Sequence, residues 1–201
     1  LKEIERFDLS SLRWVVVFGA PSSPDIMERF HRYCPNVKLL NGWGMTETSA
    51  TVTVHGAEDY LHRPSSCGPA LPVSQLKIMS EDGSRELPPG EVGELWAFGP
   101  QIVKGYWDNP EATREIFRDG WVRTGDLGRM DADGYLFITG RAKDLIIRGG
   151  HNLDPAVIEE ALMTHPAVAF AGAIGQPDAH SGEVPCAYVE LVAGATVTLE
   201  S

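Results

Sequence analysis

Three cysteines in 201 residues, Cys34, Cys67 and Cys186, are too few, too far apart and odd in number to build a disulfide framework or a thiolate metal site. Three free thiols in a reducing, cytoplasmic setting are expected. No apolar run approaches the roughly 20 residues that cross a bilayer, and the opening string LKEIERFDLSS is not a secretion signal. Basic residues are scarce too: 17 Lys and Arg stand against 28 Asp and Glu, a formal net charge of -11 at pH 7. Such a field repels polyanions, which excludes nucleic acid or an anionic membrane as the main partner and confines any anion site to a local cluster. Internal repeats and low-complexity segments are absent. What remains is 43% hydrophobic and 22% charged, a globular composition sufficient for one or two cores.

The apolar, β-branched run RWVVVF (13–18) reads as a buried strand, broken by GAPSSP. Ser23 offers an N-cap with Pro24 behind it, and Ile26, Met27, Phe30, Tyr33 and Cys34 share one helical face as far as Pro35. VKLL is a second short strand. Strand, helix and strand then lead into NGWGMTET (41–48), expected as a loop at the strand's C-terminal end, where open α/β sheets bind ligands. From about Pro64 the pattern becomes β-rich: VSQLKIM, GELWAF and GYLFIT are separated by turn strings EDG, PPG and DADG. One short helix interrupts it, NPEATREIF, with Asn109 as N-cap and Pro110 in the first turn. After GRAKD the order is strand LIIR, a helix from Pro155 capped by Asp154 and stopped at Pro166, and strands AVAFAGAI and PCAYVEL.

Three strings carry chemistry. In GWGMTET, glycines let backbone N–H groups approach a phosphate, the Thr46 hydroxyl can donate to a phosphate oxygen, and Glu47 can hold a hard cation such as Mg²⁺. Trp43 adds a flat face for a purine, although a tryptophan beside a strand end is more often simply packed. Taken alone, the string equally suits an ordinary strand-to-loop turn. In RTGDLG, Asp126 either bonds its own backbone in a Gly-flanked turn or accepts both hydroxyls of a ribose. In GRAKDLIIRGGH, Arg141, Lys143, Arg148 and His151 face one acid, Asp144. That is a solvated basic face or a local anion site, with Gly149 and Gly150 leaving room for a slender ligand arm. HRYC offers too few ligands at helical spacing to hold a metal. His55, His62, His165 and His180 read as surface or core histidines.

Taken in order, GWGMTET, GELWAFGPQIVKGYWDNPEATREIFRDGWVRTGDLG and GYLFITGRAKDLIIRGGHNLDPAVIEEAL closely resemble the adenylate-forming (AMP-binding) family of acyl-CoA synthetases, peptide-synthetase adenylation domains and luciferases. GAPSSP, CGPALP and GQPDAHSGEVPCAYVEL fit the same pattern, so the resemblance covers nearly the whole chain. It implies an α/β and α+β fold: residues 1–142 as the end of a large domain (1–60 a strand-helix-strand piece, 61–142 a β-rich subdomain) and 143–201 as part of a small lid domain.

For the site, the resemblance implies that Thr46 contacts the adenylate phosphate and Glu47 helps hold Mg²⁺, while Trp43, beside Gly44, lies against adenine. Gly19, Ala20 and Pro21 border the adenine, Asp126 takes the ribose diol, and Arg141 contacts the ribose side. Lys143 falls at the hinge between domains, and Gly149 and Gly150 at the coenzyme A tunnel.

The implied reaction uses ATP, Mg²⁺ and coenzyme A to convert a carboxylate to an acyl-adenylate and then to a thioester. The form GWGMTE resembles fatty-acid-activating members. A carrier-loading adenylation domain and a non-catalytic nucleotide-binding module are the alternatives. The phosphate loop expected upstream and the lysine expected late in the small domain are not in this sequence, so it reads as a piece that does not turn over by itself. GGHNLDP stands where GGENIYP-like strings are commoner, which leaves coenzyme contacts by His151 or Asn152 unassigned.

Overall fold

The computed structural model describes residues 6–19, 24–56, 58–63 and 65–197. The chain folds as two units, Leu1–Ile138 and Thr139–Ser201.

The first unit begins with β1 (Trp14–Val17), α1 (Pro24–Tyr33) and β2 (Lys38–Met45), with β1 and β2 parallel as a strand-helix-strand crossover requires. Val15, Val17 and Phe30 pack on buried Leu39 and Tyr60. Tyr33, expected on the buried helix face, is exposed. β3 (Ala50–Gly56) returns antiparallel to β2.

Asn41–Met45 is not loop but the continuation of β2, and only Thr46–Thr48 forms a turn, of 3-10 type. Glycines normally argue against a strand, yet in this one they admit a neighbouring backbone. A Cβ on Gly42 would meet the Thr53 carbonyl, and one on Gly44 would overlap the Ala50 carbonyl. The pairing register shifts between Trp43 and Gly44, a bulge that turns the chain toward its tip.

The remainder of the unit comprises α2 (Glu58–His62), β4 (Gly68–Pro69), β5 (Gln75–Met79), β6 (Gly93–Phe98), α3 (Pro110–Ile116), β7 (Phe117–Arg118), β8 (Trp121–Met130) and the start of β9 (Tyr135–Arg141), whose last three residues belong to the second unit. Its second sheet has the order β4-β9-β8-β6-β5, with β7 beside β8. Trp43, Val52, Ile78, Leu95, Ala97, Val122 and Leu136 form one buried cluster drawn from both sheets. Polar bonds fix the same junction: Thr53 Oγ1 donates to the Cys67 carbonyl at 2.6 Å, Ser66 Oγ to the Leu136 carbonyl at 2.8 Å, and Asn41 Nδ2 to the Ser66 carbonyl at 2.8 Å. His55, 5% exposed, sets Nε2 against that same carbonyl at 2.7 Å. Burial pushes its pKa below the ordinary imidazole value, and Nε2, facing a carbonyl that can only accept, is the donor.

The second unit is a four-stranded antiparallel sheet, β11 (His151–Leu153), β10 (Ile146–Arg148), β13 (Gly182–Leu191) and β12 (Val168–Asp178), with α4 (Pro155–Met163) packed along β12. Asp154 caps α4, its Oδ1 accepting from Ala156 N at 2.9 Å, as the sequence indicates. The helix ends at Met163 rather than running to Pro166, because Thr164 and His165 close it with turn bonds. Among the described residues, no helix is long and apolar enough to cross a membrane.

The close passage of β3 over Gly44 makes a direct prediction. Gly44→Ala must push the Ala50 carbonyl away, expected to cost about 3 kcal/mol. That corresponds to a melting temperature lower by roughly 6–12 °C in a chain of this size. Calorimetry checks it, and an unchanged transition means that β3 does not return this close.

Candidate functional site

The tip between β2 and β3 is held from within by Thr48, which is fully buried. Its hydroxyl accepts from Met45 N at 3.0 Å and lies 2.9 Å from the Met45 carbonyl and 2.7 Å from the Ala50 carbonyl. Those bonds hold Ser49 and Ala50 at φ of 49° and 93°, left-handed conformations that side-chain-bearing residues rarely adopt. The turn so fixed leaves Thr46 exposed and Glu47 half-buried, side by side at the end of the strand. Sequence reasoning singled out Thr46 and missed Thr48, although a second threonine two residues on was the visible signal.

Trp43 points the other way. It is 8% exposed, packed in the core cluster, and its Nε1 donates to Asp126 Oδ2 at 2.7 Å. Packing therefore accounts for most of the indole surface, the plainer of the two readings of this residue. Asp126 is itself 5% exposed and sits in β8 rather than in a free turn, with its backbone N–H donating to Thr124 Oγ1 at 3.0 Å. Gly125 beside it has φ of 71°.

Glu47 is held by Val103 and Tyr106, two residues to which the sequence alone assigned no role. Tyr106 Oη donates to Glu47 Oε1 at 2.6 Å, and Val103 N donates to the Glu47 carbonyl at 2.9 Å. That hydrogen bond, burial and the carboxylate charge push the Tyr106 phenol up to about 12, so it is a committed donor at neutral pH.

Tyr106 is in turn positioned by NPEAT. Asn109 caps α3 through Oδ1 to Ala112 N at 3.1 Å, and Thr113 Oγ1 accepts from Tyr106 N at 2.9 Å. Tyr106 also meets Phe117 edge-on with ring centroids 5.8 Å apart. Gly105 has φ of 149°, and a Cβ there would strike the Thr113 side chain. The string GYWDNPEAT thus aims one phenol at one carboxylate.

The second oxygen, Glu47 Oε2, takes part in no hydrogen bond among the described residues. No group of three or more His, Cys, Asp or Glu side chains able to hold a metal occurs among them. One uncommitted carboxylate oxygen suits Mg²⁺, which keeps most of its ligands from phosphate and water, better than a cation that needs a protein cage. The donor set fits.

Gly19 lies just after β1 with φ of 84°, whereas Ala20, Pro21 and the capping Ser23 lie outside the described residues. In the second unit, Arg141 ends β9 and Lys143 sits exposed in a 3-10 turn, Ala142–Asp144. Gly149 and Gly150, with φ of 57° and 82°, form the two-residue turn between paired Arg148 and His151. That is the hairpin geometry in which both turn residues need positive φ. Nothing lies within 4 Å of a Cβ built on either, so the turn is also open.

The family model described as AMP-binding enzyme matches residues 1–107, and that described as AMP-binding enzyme C-terminal domain matches 157–201. A putative acyl-CoA synthetase, YngI, of Bacillus subtilis (strain 168) is 39% identical over 98% of this chain and 36% of its own length. A 4-coumarate–CoA ligase 1 of Glycine max is 38% identical over 98% of this chain and 69% of its own length. Among solved structures, O-succinylbenzoate coenzyme A synthetase (MenE) from Bacillus subtilis in complex with ATP and magnesium ion matches with a TM-score of 0.81. It is 36% identical over 90% of this chain and 37% of that one. The chain spans about a third of the length of curated relatives such as YngI.

The bond between Trp43 and Asp126 predicts strong energetic coupling. A buried hydrogen bond to an acid contributes about 1.5–3 kcal/mol when its partner is removed. In a double-mutant cycle of Trp43→Phe and Asp126→Ala, urea unfolding should give a coupling energy in about that range. Simple additivity of the two substitutions would dissolve the link.

Proposed function

The chain belongs to the AMP-binding enzyme family, and on that premise we propose that it is a part of an ATP-dependent acyl-CoA synthetase acting on a fatty acid. The substrate carboxylate attacks the α-phosphorus of ATP and pyrophosphate leaves; the coenzyme A thiol then attacks the acyl carbon and AMP leaves. The observation that carries this reading is the 2.7 Å bond joining Trp43 to Asp126, which unites two of the three chemical strings across 83 residues. Strings that serve only as local turns have no reason to converge on one buried acid.

In this proposal the exposed Thr46 hydroxyl donates to the phosphate of the adenylate. Asp126, at the end of the indole, accepts from the ribose diol, and Arg141 contacts the ribose side. Gly44, Trp43 and the segment Gly19, Ala20 and Pro21 border the adenine. Glu47 offers Oε2 to Mg²⁺. Bound Mg²⁺ supplies neutralisation of the charge that develops on the phosphates. Preorganised donors around a transferring phosphoryl centre contribute most where they are fixed beforehand, and the Thr48-locked turn fixes Thr46 and Glu47 before any ligand arrives. For the thioester step Lys143 serves as hinge, and the open turn at Gly149 and Gly150 faces the slender arm of coenzyme A.

Three measurements on the complete enzyme carrying this chain test the reading. Pyrophosphate exchange across a panel of fatty and hydroxycinnamic acids should be fastest with medium- or long-chain fatty acids; a preference for the aromatic acids overturns the acyl assignment. Glu47→Gln should slow exchange roughly 100-fold, equivalent to ~3 kcal/mol. Wild-type exchange in that variant at limiting Mg²⁺ removes Glu47 from the metal. Lys143→Pro, which fixes φ near -65° and restricts Ala142, should preserve exchange while lowering thioester formation by about 100-fold or more. Equal loss in both half-reactions places the hinge elsewhere.

A further inference from the structure

From the contact between Tyr106 and Glu47 we infer that Tyr106 sets the metal selectivity of the site by holding Glu47 as a one-oxygen ligand. The inference rests on the proposed role of Glu47 toward the nucleotide-bound cation.

The geometry is asymmetric. Tyr106 Oη donates to Oε1 at 2.6 Å, Val103 N holds the backbone carbonyl of the same residue at 2.9 Å, and Oε2 is left uncommitted among the described residues. The segment 103–106 therefore grips Glu47 at two points. The grip is itself rigid, because Tyr106 is fixed at its backbone by Thr113 and at its ring by Phe117. Swinging the carboxylate to present both oxygens equally breaks the phenol bond and leaves the hydroxyl without its partner.

Cations differ in how far they tolerate this. Mg²⁺ requires near-octahedral single-oxygen ligands and retains water, whereas Ca²⁺ takes six to eight oxygens and readily accepts both oxygens of one carboxylate. With Oε1 engaged by a short donated bond, a larger ion loses the chelating mode that would favour it. An octahedral ion loses nothing, since it needs only Oε2. Tyr106 acts through Glu47 and is a positioning residue, not a catalytic one.

The test compares four forms of the complete enzyme: wild type, Tyr106→Phe, Glu47→Gln and the double variant. Each is saturated with a non-hydrolysable ATP analogue. Bound Mn²⁺ is followed by electron paramagnetic resonance while Mg²⁺ or Ca²⁺ competes, so the readout is metal binding and not turnover. Tyr106→Phe should improve Ca²⁺ competition relative to Mg²⁺ by about tenfold. In the Glu47→Gln background the same substitution should change nothing.

Phenylalanine keeps the ring on Phe117, so the fold is preserved. Thr113→Val, which removes the backbone anchor of Tyr106 together with the bond that the Thr113 hydroxyl donates to the Asn109 carbonyl, should shift the ratio in the same direction by a smaller factor. An unchanged Mg²⁺ to Ca²⁺ ratio in Tyr106→Phe, with weakened Mn²⁺ binding in Glu47→Gln, overturns this inference and leaves the proposed function standing. A shift in Tyr106→Phe that persists in the double variant also overturns it, because the effect then bypasses Glu47. Unchanged Mn²⁺ binding in Glu47→Gln removes Glu47 from the metal, and both readings fall together.

Discussion

Burying the side chain of Asp126 at 5% exposure is the constraint around which the first unit is arranged. An acid removed from water costs several kcal/mol unless donors replace the lost hydration, and one such donor here is the indole N–H of Trp43 at 2.7 Å. The indole reaches Asp126 only because β2 continues through Trp43 with its side chain directed into the core between the two sheets. That direction in turn fixes the strand register: a slip of one residue would turn Trp43 out and leave the buried acid without this donor. Core packing, register and the placement of a polar group are thus one requirement seen from three sides.

The same register dictates what happens at the strand end. With Trp43 inward, Gly42 and Gly44 face the returning β3, and the absence of a Cβ at each lets the two backbones close. The tight return forces left-handed conformations at Ser49 and Ala50, which the buried hydroxyl of Thr48 stabilises. A turn held by its own internal bonds needs no help from Thr46 or Glu47. Those two side chains are therefore available to act on something else.

Elements whose signals are local were readable in the sequence. Asn109 and Pro110 marked the start of α3, Asp154 and Pro155 that of α4, and GELWAF coincided with β6. The β2 extension was misread because glycine near a strand usually signals a turn, and only the position of β3 shows that here it signals close approach. Tyr106 was missed for a related reason. Its partner Glu47 lies 59 residues away, and no periodicity or capping pattern reports a contact across that separation. The string GYWDNPEAT did contain the cause, in the order glycine, tyrosine, cap and threonine, but its meaning depends on where α3 sits.

Two glutamates show how the fold separates a structural acid from an available one. Glu94 is 8% exposed and receives Arg123 through Nε at 3.3 and 3.1 Å and Nη2 at 2.8 Å, with Trp96 Nε1 adding a bond at 3.0 Å. A guanidinium spanning both oxygens neutralises the charge and fills the lone pairs, so Glu94 joins β6 to β8 and can offer little to a ligand. Glu47 is oriented instead by the neutral phenol of Tyr106, on one oxygen. A neutral donor fixes the direction of the carboxylate without cancelling its charge. Among the described residues no cation is paired with Glu47, so its attraction for a positive ligand is retained while its freedom to move is not. Orientation without neutralisation is what an acid needs if its counter-ion is to arrive with the nucleotide.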